Sequence, residues 1–113
     1  MNLIGIGIDI EEVGRFRKLP FKKNREFYKK IFTDPEIEYC LSKSDPAQHF
    51  TARFCTKEAM SKALGREFAK VKEIEILNDK NGAPQATING KKSRLKISLS
   101  HTKSYATAVA IAY

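Results

Sequence analysis

Asp9 and Glu58 are the acids of this chain whose settings suggest chemistry, a metal ion held between two carboxylates. In Ile4-Gly5-Ile6-Gly7-Ile8-Asp9-Ile10 the residues alternate with a period of two, which predicts a strand with four isoleucines on one face and Asp9 on the other. Gly5 and Gly7 share the face of the acid. Two glycines on one strand face mark the close approach of another backbone or of a ligand. Glu58 stands in Phe54-Cys55-Thr56-Lys57-Glu58-Ala59-Met60-Ser61-Lys62, a stretch with helical spacing. At ~100° per residue Glu58 falls between the directions of Phe54 and Cys55, half-shielded from water, with Lys62 in reach at i,i+4. Read blandly, the same spacing is a helix ion pair worth ~0.3–0.5 kcal/mol.

The elements that must position these residues can be read from caps and breakers. Asp45 at an N-cap, Pro46 at the first helical position, Gln48 three residues after the cap and Gly65 at a left-handed C-terminal cap delimit a helix over 46–64. Its Ala52, Cys55, Ala59 and Ala63 form one smooth face that lets another element come close. A short helix is expected from Glu11 to Lys18 and another from Asn24 to Phe32, separated by Pro20. A third, opened by the capping box Thr33-Asp34-Pro35-Glu36, should run to about Leu41. Beyond Gly65, Ile74–Leu77 and Gln85–Ile88 read as strands, Asn89-Gly90 as a hairpin turn, and Lys96–Ser100 and Ala106–Tyr113 as strands completing an antiparallel meander with the first. Ala106, Ala108, Ala110 and Ala112 share a face that matches the small face of the long helix, so the helix should lie across the sheet. The expected fold class is α+β, an antiparallel sheet packed against a long helix. A chain of 113 residues suits one domain spanning 1–113.

The formal charge of +8 implies an acidic partner. Nucleic acid is one candidate, but aromatic content is modest and no aromatic-rich strand for base stacking appears, which makes an RNA-binding module the weaker reading. There is no run of ~18 apolar residues and no signal-peptide pattern, so no membrane association and a cytoplasmic location are expected. Cys40 and Cys55 lack metal-ligand or redox spacing and read as core thiols.

Three motifs in order, the Gly7-Ile8-Asp9 strand, the Phe54-x-x-Lys57-Glu58-Ala59-x-x-Lys62 helix and the ending Ser98-Leu99-Ser100-His101-Thr102-Lys103-Ser104-Tyr105-Ala106, resemble the 4′-phosphopantetheinyl transferases, most closely the small holo-acyl-carrier-protein synthase type. The resemblance implies transfer of the phosphopantetheine arm of coenzyme A to a serine of an apo acyl carrier protein, with adenosine 3′,5′-bisphosphate leaving. It implies Mg2+ on Asp9 and Glu58, with Lys62 facing the phosphates. Arg53, Lys62, Gly65, Pro84 and His101 resemble family positions that contact coenzyme A, and Arg15 resembles the arginine that grips an acidic carrier helix, with Lys18, Lys22 and Lys23 beside it. Either a carboxylate or a metal-bound water can take the serine proton; Glu58 is the favoured base. Family members of this size form homotrimers with active sites shared across subunits. One departure is the connector Arg66–Glu73, which carries no glycine where the family usually has a glycine-rich loop, so coenzyme phosphates there must be met by side chains or left open. A third reading, a homologue that docks carrier proteins without modifying them, is opposed by the presence of Asp9, Glu58 and Lys62.

Overall fold

The computed structural model describes residues 2–65 and 71–113. Strand β1 (Gly5–Glu12) leads through Val13 into a one-turn helix α1 (Gly14–Arg17), a 3-10 turn at Phe21–Lys23, and helices α2 (Arg25–Ile31), α3 (Asp34–Leu41) and α4 (Pro46–Leu64). A 3-10 turn at Val71–Glu73 opens the second half, with strands β2 (Ile74–Asn78), β3 (Pro84–Ile88), β4 (Lys91–Lys92), β5 (Leu95–His101) and β6 (Tyr105–Ala112). The class is α+β, as expected, but the strands do not form one meander. They make two antiparallel sheets, ordered β1-β6-β5 and β2-β3-β4, with the break between β4 and β5. The expected helix start at Glu11 is also displaced: Glu11 and Glu12 pair with Ala106 and Tyr105, and the strand ends only at Glu12. Pairing with β6 supplies ladder hydrogen bonds that one helical turn could not replace.

Helix α4 crosses the β1-β6-β5 sheet on its small face. Ala52, Cys55, Ala59 and Ala63 meet Ala106, Ala108, Ala110 and Ala112, all buried. The two strand glycines are explained by this crossing: a Cβ on Gly5 would lie 1.8 Å from the carbonyl oxygen of Ala63, and one on Gly7 1.9 Å from that of Ala59. The backbone that approaches them is the helix itself. Opposite this packed face, Ile4, Ile6, Ile8 and Ile10 are 63–73% exposed.

The far side of α4 packs on rings. Phe16, Tyr28, Phe32 and Phe50 form a buried cluster, with Tyr28 4.6 Å from Phe50 and Phe32 5.0 Å from it, centroid to centroid. Each such burial contributes roughly 1.5–3 kcal/mol. Because both sides of α4 are covered, several of its polar residues are buried too, Thr51, Arg53, Thr56, Lys57 and Ser61. Thr51 and Thr56 return their hydroxyls to the carbonyls of Ala47 and Ala52. Lys57, fully buried, donates to Glu36 at 2.6 Å and to the Ile31 carbonyl at 2.8 Å.

The capping box is present and extends further than its four residues. Thr33 accepts from the Glu36 amide and Glu36 from the Thr33 amide, while the second oxygen of Glu36 accepts from the amide of Ile76 on β2 at 2.8 Å. One carboxylate thereby joins α3, α4 and β2. At α4 the cap differs from expectation. Asp45 holds the N-cap position, but its side chain takes the Arg17 fork at 2.7 and 2.8 Å and the Gln48 amide at 2.8 Å, with no capping bond to the backbone. An arginine fork outcompetes a single backbone N–H. Gly65 has the positive φ that favours glycine, 84°, but with ψ 128° it turns into an extended path and not into a left-handed helical cap.

Both cysteines are buried and free, and burial pushes the Cys40 thiol up from 9.0 to about 12. Between those values the unfolded chain has released a proton that the folded chain keeps, so this thiol makes stability decline as pH rises from about 9 toward 12. We expect no reaction of either thiol with a disulfide reagent in native protein at pH 8 and two on denaturation; rapid native labelling would contradict the burial.

Candidate active site

Asp9, on β1, lies beside α4, the helix that carries Glu58. The ammonium of Lys62 donates to the Ile8 carbonyl at 2.9 Å and stands 3.5 Å from Asp9 Oδ1. Cys55, one turn before Glu58, is buried against the same carboxylate, and burial together with Asp9 pushes its thiol up. Asp9 is thus bracketed by Cys55 and Lys62, with the half-buried Glu58 between them in sequence. Lys62 reaches across to the strand, which ties β1 to α4 beside the acid.

A residue not singled out from the sequence joins this group. Glu11, two residues on and therefore on the same strand face, carries a side chain 14% exposed that pairs with Arg15 at 2.8 Å. Burial, then the adjacent Asp9, raises Glu11 from 4.5 to about 7 against the opposing pull of Arg15. The strand alternation contained the signal for Glu11. The Oδ2 oxygen of Asp9 is buried without a hydrogen-bond partner. An orphaned carboxylate oxygen and two acids in mutual repulsion make a site short of positive charge, and a hard divalent cation suits that donor set. Among the described residues no group of three or more histidine, cysteine or acidic side chains is preassembled for a metal. Magnesium commonly needs only one or two carboxylates, the rest of its shell being water and phosphate.

Arg53, Pro84 and His101 come together elsewhere, in a cleft of about 300 Å³ that also holds Tyr39 and His49. Arg53 is 5% exposed. Its Nε donates to the Ile76 carbonyl at 3.2 Å and its guanidinium lies 4.1 Å from the Tyr39 ring centroid, yet Nη2 is buried with no partner. His101 Nδ1 is 2.8 Å from Gln48 Oε1, and its ring stacks edge-on against His49 at 5.3 Å. Burial, then His101 and Arg53, holds His49 below its ordinary value. A buried cationic cleft with an unused guanidinium N–H is suited to an anion such as a phosphate.

The two assemblies face different sides of α4. β1, with Asp9, and β5, with His101, flank the central β6 over which α4 lies. Neighbouring strands are ~4.8 Å apart and a helix with side chains is ~10 Å across, so the helix separates them. Gly65 stands at the C-terminal end of α4, beyond Lys62. Arg66 to Lys70 of the connector lie outside the described residues, while Val71–Glu73 form the 3-10 turn. Of the expected carrier-docking residues, Lys18, Lys22 and Lys23 are exposed. Arg15 is exposed but engaged, because its pairing with Glu11 links it to the acid group.

The sequence profile of the 4′-phosphopantetheinyl transferase superfamily matches residues 5–112. Similar proteins include the holo-[acyl-carrier-protein] synthases of Chloroherpeton thalassium, 45% identical over 94% of both chains, and of Chlamydia trachomatis serovar D, 45% identical over 97% of this chain and 99% of that one. Among solved structures, the Bacillus anthracis holo-(acyl-carrier-protein) synthase in complex with CoA (3′,5′-ADP) superposes with a TM-score of 0.81 at 30% identity, covering 96% of this chain and 95% of that one. The Helicobacter pylori holo-[acyl-carrier-protein] synthase in complex with coenzyme A gives 0.75 at 27%, covering 93% and 96%. The chain belongs to the 4′-phosphopantetheinyl transferase superfamily. Its relatives place it with the small holo-acyl-carrier-protein synthase type.

Proposed function

We propose that this protein, as a single domain over residues 1–113, transfers the 4′-phosphopantetheine arm of coenzyme A to a serine of an apo acyl carrier protein in the cytoplasm and releases adenosine 3′,5′-bisphosphate. The observation that carries the reading is the Asp9 carboxylate, held against α4 with one oxygen orphaned and Lys62 3.5 Å from the other. No described helix is long and apolar enough to cross a membrane. Attack by an alcohol on a pyrophosphate is slow because negative charge repels the nucleophile and accumulates on the leaving oxygen. Asp9 and Glu58 would hold Mg2+, which when bound neutralises that charge. Lys62, fixed by the Ile8 carbonyl, presents a cation to the phosphates without needing to be ordered at the moment of reaction. Glu58, directly or through a water, takes the serine proton. Arg53 and His101 hold a remote phosphate of the coenzyme, Pro84 borders the adenine, and Gly65 leaves room beside Lys62. The test is incubation with coenzyme A, magnesium and apo carrier protein, read as a mass gain of one phosphopantetheine arm on the carrier; a carrier that is bound but never modified would favour the docking homologue instead.

Assembly belongs to this reading. The acid group and the Arg53–His101 cleft lie on opposite flanks of α4, and the isoleucine face of β1 is uncovered, so one coenzyme can use both only if a second subunit supplies one of them. A homotrimer sharing its sites satisfies that requirement. Sedimentation should give a trimer whose dissociation on dilution removes activity; a fully active monomer would overturn it.

The carrier-docking surface contains Arg15, Lys18 and Lys22. Because Arg15 also touches Glu11, the cleaner probe is Lys18→Glu with Lys22→Glu. This pair should raise KM for the carrier by ~10-fold or more at low salt and leave that for coenzyme A unchanged, an effect that added salt should reproduce in wild type. Equal weakening of both substrates would move the docking surface elsewhere.

A further inference from the structure

A chain of hydrogen bonds behind the Arg53–His101 cleft fixes where the His101 proton sits. Asp45 accepts both arms of the Arg17 fork, which holds its carboxyl below the usual range, so it is ionised and can only accept. Gln48, in the first turn of α4, must therefore turn its NH2 to Asp45 Oδ2, at 2.8 Å, and its Oε1 to His101. That oxygen has no hydrogen to give, so the His101 Nδ1, 2.8 Å away, is the donor. With a proton fixed on Nδ1, the neutral ring carries a lone pair on Nε2. His101 lines the cleft and Gln48 does not, so the edge left for a ligand there is that of Nε2.

A lone pair on that edge repels an anion, whereas an imidazolium offers a second N–H to it. The anion has a seat beside the ring, because Nη2 of the buried Arg53 is unpartnered. His49 does not compete for the proton. Its ring makes edge contacts to Tyr39 at 5.9 Å and His101 at 5.3 Å, and burial, then His101 and Arg53, holds it below its ordinary value. The other charged or titratable groups around the pair are Tyr39 and Lys43, on and after α3, and Asp45. Asp45 is the one acid of these, and Arg17 and Gln48 already engage it. We propose that Gln48 is a positioning residue that holds His101 in the Nδ1–H form, so that a phosphate monoester entering the cleft is bound with uptake of one proton from solvent on His101 Nε2. The inference rests on the reading of this cleft as the seat of a coenzyme phosphate. Because the bound state holds the extra proton, affinity should be high at low pH and fall as pH rises.

Adenosine 3′,5′-bisphosphate is the probe, titrated into the full chain by calorimetry in buffers of different ionisation enthalpy. Uptake of about one proton per nucleotide is expected at pH 8, with affinity ~10-fold or more weaker at pH 8.5 than at pH 7. Nitrogen NMR of histidine-labelled protein should show free His101 protonated on Nδ1 and bound His101 protonated on both nitrogens. Gln48→Met frees the ring to carry its proton on Nε2 and to donate while neutral. Proton uptake should then drop below about half and the pH dependence flatten, an effect that a purely structural role for Gln48 would not produce. His49→Gln should leave the uptake in place. If Gln48→Met fails to fold, the spectra of the wild-type protein still decide. A nucleotide that does not bind would remove the cleft reading and this inference together. Binding without proton uptake, uptake lost with His49→Gln, full uptake in a folded Gln48→Met variant, or free His101 protonated on Nε2 would each overturn this inference alone.

Discussion

Asp9→Asn and Glu58→Gln should each lower turnover in the carrier-modification assay by ~100-fold or more, a loss of about 2.7 kcal/mol of transition-state stabilisation, with the fold intact. Each replacement keeps the shape of the side chain and removes the charge that would hold a divalent cation. For Asp9 the fold has reason to survive. Its Oδ2 has no partner to lose and its Oδ1 meets Lys62 at 3.5 Å, a long contact, whereas the Lys62 bond to the Ile8 carbonyl remains. Magnesium titration should separate ligand loss from misfolding: the variants should need far more magnesium for the activity that remains, while circular dichroism and coenzyme A binding at the Arg53–His101 cleft change little. Turnover near wild type in either variant removes that residue from the ligand set.

Lys57→Met is expected to destabilise the protein by about 3–5 kcal/mol, a large share of the ~5–15 kcal/mol that holds a typical domain. The physical reason is what remains. Glu36 is fully buried, and without the ammonium 2.6 Å away its carboxylate would be left charged among Phe32, Ile76 and the α3 terminus. Burial already makes the Lys57 ammonium easier to deprotonate than usual, so the pair exists because both members are present. The double variant Glu36→Gln with Lys57→Met should recover a measurable part of the loss in a denaturant titration, since neither charge is then stranded. A single Lys57→Met variant as stable as wild type would show that the pair is not a structural joint. Because Lys57 adjoins Glu58, turnover should fall with stability in the single variant and return with it in the double.

Local pattern was legible wherever one element could decide. Alternation placed Asp9 and four isoleucines on opposite faces of β1, helical spacing placed Glu58 between Phe54 and Cys55, and the Pro46–Leu64 span of α4 was set by its breakers. The motifs led to the superfamily whose profile matches residues 5–112. What a single element cannot decide was misread or missed. The Glu11–Lys18 stretch has no strong breaker before Gly14, and only pairing with β6 makes Glu11 and Glu12 strand. Asp45 had the type and place of a cap, but its partner, Arg17, is 28 residues away.

The sequence by itself determined which residue types are present for the chemistry, which faces they occupy, and that small faces on a helix and a strand could meet. Tertiary structure decided which partners they find. It made the glycines a crossing point and not a ligand seat, turned Lys62 to Asp9, added Glu11 to the acid group, joined Glu36 of a capping box to Lys57, and divided the expected coenzyme residues between two flanks of α4. The reason is range. Periodicity, caps and turns arise from steric and hydrogen-bond preferences within a few residues, whereas charge pairing and burial act between segments whose approach is fixed only when the whole chain has packed.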